Sequence, residues 1–172
     1  MKKVLIAAGA VSALALTSAP AYAVSPTTQA TATARIVVPL TLDMVRNLDL
    51  GTVILSGTAP YTDTVGISQG GTFSCGTNVT CTGTGVQTAQ YKATGTAGQT
   101  LTVAGSATIP LANTTNTTAP NLDLTVAYPA AGSVVLDATG NATFDIGGSI
   151  QVSDTTPDGT YTGSFDVTAD YQ

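Results

Sequence analysis

Histidine, glutamate and tryptophan are absent from the 172 residues, and only 9% of the chain is charged. Without His or Glu the usual general base and the commonest transition-metal ligand are missing. Any hydrolase built on this chain would have to run on Asp alone, so no catalytic residue, no metal and no cofactor is expected. Positive charge is equally scarce. Lys2 and Lys3 open the chain, after which only Arg35, Arg46 and Lys92 stand against ten Asp. A net charge that moves from −5 to about −7 once the two lysines are removed argues against binding nucleic acid or anionic lipid. Past residue 23 no apolar run approaches the roughly 20 residues that cross a bilayer, so membrane insertion is not expected. Nothing past that point repeats apolar residues at helical spacing.

What is present begins with an export signal. Lys2 and Lys3, an apolar run from Val4 to about Leu16, and Ala21-Tyr22-Ala23 as a small-residue cleavage site mark residues 1–23 as a secretory signal peptide. The mature chain, about 150 residues, is the size of one domain. Residues 24–29 are read as a flexible mature N-terminus and 30–172 as the domain. Its first stretch, 30–44 (ATATARIVVPLTLDM), places Ala30, Ala32, Ala34, Ile36, Val38, Leu40, Leu42 and Met44 at alternate positions. A period of two predicts a β-strand with one apolar face. Pro39 cannot donate a ladder hydrogen bond, which points to an edge strand, a bend or two shorter strands.

The remainder is rich in Thr, Ala, Gly and Val, and it too alternates. Strands are predicted at Leu48–Leu55, Tyr61–Ser68, Val86–Thr94, Gln99–Ala104, Asn121–Tyr128, Ser133–Leu136, Ala142–Ser153 and Thr160–Gln172. Gly95–Gly98 reads as a hairpin turn, 111–120 as an exposed loop, and Gly147-Gly148 as a bulge or sheet-switching bend. Cys75 and Cys81, in an exported chain, are read as a disulfide stapling a hairpin tip, contributing roughly 2 kcal/mol. Two Cys with no His cannot complete a zinc site. Eight to ten short strands with regular turns predict an all-β fold: a β-sandwich, immunoglobulin-like or pilin-like in the broad sense.

Motifs for chemistry are few. Asp154 and Asp158 bracket Pro157 and invite comparison with paired carboxylates, but a DTTPDG turn uses Asp for backbone hydrogen bonds. The same residues with Asp63, Asp123 or Asp145 offer oxygen ligands for calcium, yet no spaced Asp-x-Asp-x-Asp-Gly loop is present. The Gly pair of FDIGGSI lacks the Lys and the strand-to-helix setting of a phosphate loop. Asn78, Asn113, Asn116 and Asn141 match the Asn-x-Ser/Thr pattern and are read as surface markers.

The segments ATATARIVVPLTL, LDLG at 48–51, AQYKATGTAGQTLTV at 89–103, FDIGGSIQV at 144–152 and GTYTGSFDVTADY at 159–171 resemble the bacterial family catalogued as domain of unknown function 4402. The closing pattern Gly159, Tyr161, Gly163, Phe165, Val167, Tyr171 carries the resemblance most specifically. Leu50, where that family commonly has an aromatic, and Ala169, where it commonly has a branched residue, depart from it, and the cysteine pair has no counterpart in it. The resemblance implies an exported β-sandwich often compared with fimbrial subunits and implies no enzyme activity.

These readings converge on a structural subunit of an extracellular pilin-like fibre assembled by strand addition. Ala32, Ala34, Ile36, Val38 and Leu40 of one subunit would enter the next, against an acceptor edge formed by Tyr161, Phe165 and Val167. The expected partners are copies of itself and, by likeness to fimbrial systems, a periplasmic chaperone and an outer-membrane usher. The expected course is export to the periplasm and then the cell surface. The alternative is a monomeric secreted sandwich that closes its own sheet with 30–44 and acts as a surface binding or envelope module.

Overall fold

The computed structural model describes residues 26–172. The expected signal peptide, 1–23, lies outside the described residues, as do residues 24 and 25 of the expected flexible stretch. Contacts divide the chain after Arg35. In the described part of the first unit, 26–35, every residue is exposed and none belongs to a strand.

The second unit, Ile36–Gln172, is all-β, with no helix among the described residues. Its strands are β1 (Thr41–Arg46), β2 (Thr52–Leu55), β3 (Thr62–Ile67), β4 (Phe73–Ser74), β5 (Val79–Thr82), β6 (Ala89–Thr94), β7 (Thr100–Gly105), β8 (Thr108–Asn113), β9 (Leu122–Ala127), β10 (Val134–Val135), β11 (Asn141–Ser153), β12 (Tyr161–Thr162) and β13 (Val167–Tyr171). The number exceeds the eight to ten expected because β4, β10 and β12 are two-residue pieces. All pair antiparallel. An eight-stranded sheet runs β1-β6-β11-β9-β8-β12, with β3 on β11 and β4 on β3; β10-β7-β13 and β2-β5 form two smaller sheets.

The long strand β11 organises the large sheet. Asn141–Ile146 pairs with β6, whereas Gly147–Ile150 pairs with β9 and Gly148–Ser153 with β3. The Gly pair, read as a bulge or a sheet-switching bend, is the point where the strand changes partners, and it does so within one sheet, since β6, β9 and β3 all belong to the large one. A Cβ at Gly147 would collide with the carbonyl oxygen of Ile67, so glycine is what lets β3 approach there. Alternation continues through the change: Phe144, Ile146, Ile150 and Val152 are all buried.

They join one core with Ala89, Tyr91 and Ala93 of β6, Leu101 and Val103 of β7, and Leu124 and Val126 of β9. The inner faces of the large sheet and of the three-stranded sheet thus share one apolar cluster, the arrangement of a β-sandwich. Ile146, Leu101, Leu136 and Val65 are fully buried, each contributing roughly 1.5 to 3 kcal/mol.

Four local expectations are corrected. The predicted hairpin turn at 95–98 joins β6 and β7, which lie in different sheets, so it is a corner between layers. The terminal strand 160–172 is two strands: β12 pairs with β8 and β13 with β7, with 163–166 crossing between them. The predicted loop 111–120 gives up Leu111–Asn113 to the end of β8. Cys75 and Cys81 are bonded, but not across a hairpin. β4 pairs with β3 and β5 with β2, so the disulfide ties the two-stranded sheet to the end of the large one.

The turn that launches β11 depends on a carboxylate. Asp137 accepts hydrogen bonds from the backbone N–H of Thr139 (2.8 Å) and Asn141 (2.9 Å) and from the Thr139 hydroxyl (2.7 Å). These bonds, the one from Asn141 foremost, hold its pKa below the ordinary 3.8. A depressed folded-state pKa stabilises fully above the unfolded value and loses that contribution as pH falls through the folded one. Asp137→Ala is therefore expected to lower the urea midpoint at pH 7, and the gap from the unsubstituted protein is expected to narrow at pH 3.

Candidate functional site

An apolar groove of about 1150 Å³ opens on the described chain. It is larger than the roughly 300 to 1,000 Å³ pockets that hold small molecules. Its floor is the core itself: Ala89 and Tyr91 of β6, Leu122 and Leu124 of β9, Ile150 and Val152 of β11, and Leu111 of β8. One wall is the stretch 47–53 leading into β2, where Leu48, Leu50 and Val53 turn toward the core. The other is the stretch 156–165, including Tyr161 and Phe165. Asp49 and Asp158 are the only charged residues in the lining.

Each wall runs into a strand with an unused edge. Among the described residues β2 pairs only with β5, and β13 only with β7. Unused edges carry unpaired N–H and C=O groups, a template for a further strand. The second layer of the sandwich is thus in two pieces, β10-β7-β13 and β2-β5, and a groove over the core is bordered by the chain next to both.

The 156–165 wall is held from behind. Asn113, 3% exposed, donates from Nδ2 to the Asp158 carbonyl (2.9 Å) and accepts at Oδ1 from the N–H groups of Thr115 (2.9 Å) and Asn116 (2.8 Å). The Thr114 N–H donates to the Thr160 carbonyl (2.7 Å), and the Tyr161 hydroxyl to the Pro157 carbonyl (2.8 Å). Gly159 (φ 139°) lies against Asn113, where a side chain would collide with that carboxamide. Reading Asn113 as a surface marker is therefore wrong, because alternation along TIPLAN turns it inward with Ile109. That alternation was the signal that could have found it.

On the floor, Tyr91 stacks on Phe144 with ring centroids 5.9 Å apart. Burial, and secondarily the charge of Asp166, pushes the Tyr91 phenol above its usual pKa. Asp154 sits in the expected turn, closed by the Ser153 N–H to Thr156 Oγ1 bond (2.8 Å). Among the described residues no cluster of three or more His, Cys, Asp or Glu offers a metal site.

Of the expected acceptor residues, Tyr161 and Phe165 line the groove. Val167 packs on the core from β13, opposite Gly105, and is not in the lining. The expected terminal strand 30–44 begins only at Thr41: β1 pairs with β6 (Leu42↔Ala93, Met44↔Tyr91), and residues 26–40 carry no strand. Pro39 accounts for the break, since it supplies no ladder donor. Ala32, Ala34, Ile36 and Val38 are exposed, Ile36 to 92%, while Leu40 is half-buried on its own core. The wall residues Leu48, Leu50 and Val53 were not anticipated as site residues; as a short apolar run, they read only as one more strand.

An antiparallel β-sandwich with an open groove over its core is the class these features define. The chain belongs to the family described as domain of unknown function (DUF4402), whose model matches residues 40–171. The stretch ATATARIVV lies ahead of the matched range, which opens at the first core-packed residue, Leu40. Comparison with curated proteins and with solved structures returned no match.

Removing the Asn113 side chain leaves three backbone groups behind the wall without partners. Asn113→Ala is expected to destabilise by about 1 to 3 kcal/mol, read from urea denaturation, with a matching gain in hydrogen exchange at Thr115 and Asn116.

Proposed function

We propose that this chain is a non-enzymatic structural subunit of an extracellular, pilin-like fibre, in which the N-terminal segment of one copy lies in the groove of the next. The observation that carries the reading is the match between an open apolar groove whose walls lead into the unused edges of β2 and β13 and an exposed, strand-less apolar segment on the same chain. An alternating segment in such a groove gains backbone hydrogen bonds from the walls and pockets for alternate side chains. Burying Ile36 alone is worth roughly 1.5 to 3 kcal/mol.

Charge supports the same occupant. The segment's one charged residue is Arg35, and the groove's are Asp49 and Asp158. The Asp158 carboxylate has no hydrogen-bond or ion-pair partner among the described residues, whereas Arg46 and Asp145 are paired at 2.9 Å. A head-to-tail contact of this kind does not close on itself and propagates as a filament. Delivery would require export by the 1–23 signal, a periplasmic chaperone to cover the groove, and an outer-membrane usher.

The second reading, a self-closed secreted module, draws on one observation: β1 pairs with β6 of its own chain. That pairing covers the edge of β6 with a strand of the same chain, makes β1 the edge of the large sheet, and leaves the groove between β2 and 156–165 unfilled.

Surface material sheared from the native cells, run unboiled on a denaturing gel and probed with antibody to the exposed loop 114–118, is expected to show a ladder that collapses to monomer on boiling. Monomer alone in both lanes, with the protein plainly present, would leave the self-closed module.

A further inference from the structure

Residue 38 is held by its own domain in a way that bears on where a donated strand must end. The Val38 N–H donates to the Thr96 hydroxyl (2.8 Å), and the Val38 carbonyl accepts from the Tyr171 hydroxyl (2.8 Å). The same Tyr171 oxygen accepts from the Thr96 N–H (2.8 Å). Both backbone groups of Val38 are thereby engaged by side chains of the 95–98 corner and of the last strand. Two residues on, Leu40 packs against the core. Gly95 is where these groups meet: a Cβ there would collide with the Tyr171 hydroxyl and lie 3.0 Å from Leu40 Cδ1 and 3.1 Å from Leu136 Cδ1. Pro39, between the clasped residue and the packed one, has no N–H to satisfy.

We infer that Tyr171 and Thr96 form a clasp that ends the donated strand at Val37, so that Val38 and Leu40 stay with the domain that carries them. The inference rests on the fibre reading and sharpens it. A residue whose N–H and C=O are both bonded to its own domain has none left for a ladder in another. The donated part is then 30–37, about 26 Å when extended, with Ala30, Ala32, Ala34 and Ile36 facing the groove floor. Val38, 55% exposed, presents its side chain to solvent while its backbone is held. The joint between subunits has no free linker: the strand leaves one domain at a fixed point and enters the next. Tyr171 acts as a positioning residue, touching the strand's root and not the groove.

The test compares aspartate substitutions in the native strain. Ile36→Asp, at a position 92% exposed in the free chain, is expected to fold normally and lose the unboiled ladder. Val38→Asp is expected to keep both the ladder and the monomer's urea midpoint. Leu40→Asp is expected to lower the monomer's midpoint itself. On the purified monomer, amide exchange at Val38 and Thr96 is expected to be about tenfold slower than at Ile36; Tyr171→Phe is expected to remove the protection at Thr96, and Thr96→Ala the protection at Val38. Loss of the ladder in Val38→Asp with an unchanged monomer midpoint, or a Val38 amide that exchanges as fast as that of Ile36, would overturn the clasp while leaving the fibre standing. Absence of a ladder from the unsubstituted strain would instead overturn the fibre and the strand boundary together.

Discussion

The floor of the groove is the hydrophobic core, and most of what is unusual in this sandwich follows from that. Ala89, Tyr91, Leu124, Ile150 and Val152 belong both to the buried cluster and to the groove lining, so the groove reaches down to the core while these side chains stay buried. The apolar area left to water is on the walls, where Leu48, Leu50, Val53, Tyr161 and Phe165 are half-buried, and hydrated apolar area is costly. A few particular side chains keep that opening in shape. Asn113 holds one wall, Asp137 sets the turn into the strand that crosses the floor, and the Cys75–Cys81 bond ties β2-β5, which bears the other wall, to the large sheet.

Sparse charge is of a piece with this. Strand addition needs backbone edges and a dry apolar seam, and charged groups beside such a seam would have to be desolvated or paired. The described chain has one ion pair, Arg46–Asp145, and it lies on β1 and β11, away from the groove lining. A floor without a charged residue, and walls bearing only Asp49 and Asp158, suit a segment whose one charge is Arg35.

The all-β class was legible because alternation is a local property: the even positions of 144–152 and the apolar positions of 122–126 reach the core as predicted. Partner choice was not legible. The flanks of Gly95–Gly98 look like a hairpin, yet β6 and β7 go to different sheets, because pairing is decided by which faces must be buried together and not by the turn alone. The same limit split the C-terminal strand: Tyr161, Phe165, Val167, Ala169 and Tyr171 alternate without a break, but β12 and β13 pair in different sheets. Half of the candidate acceptor was readable from that alternation. The opposite wall, Leu48 to Val53, was not, since a short apolar run reads the same whether it borders a groove or pairs inside a sheet. In 30–44 the alternation was visible, but whether it would pair was not. Pro39 and the bonds at Val38 divide that stretch into a part that stays and a part left exposed.

The central claim is that the groove is completed by a strand of this same sequence. The most direct measurement is the melting temperature of the purified mature chain with and without a synthetic peptide of residues 28–40. At about 100 times its Kd, a ligand specific to the folded state adds about 2.7 kcal/mol, which in a domain of this size raises Tm by roughly 5 to 10 °C. The account predicts that rise, and none with the same peptide carrying Ile36→Asp. An unchanged Tm at saturating solubility of the unsubstituted peptide, or an equal rise with both peptides, would contradict it.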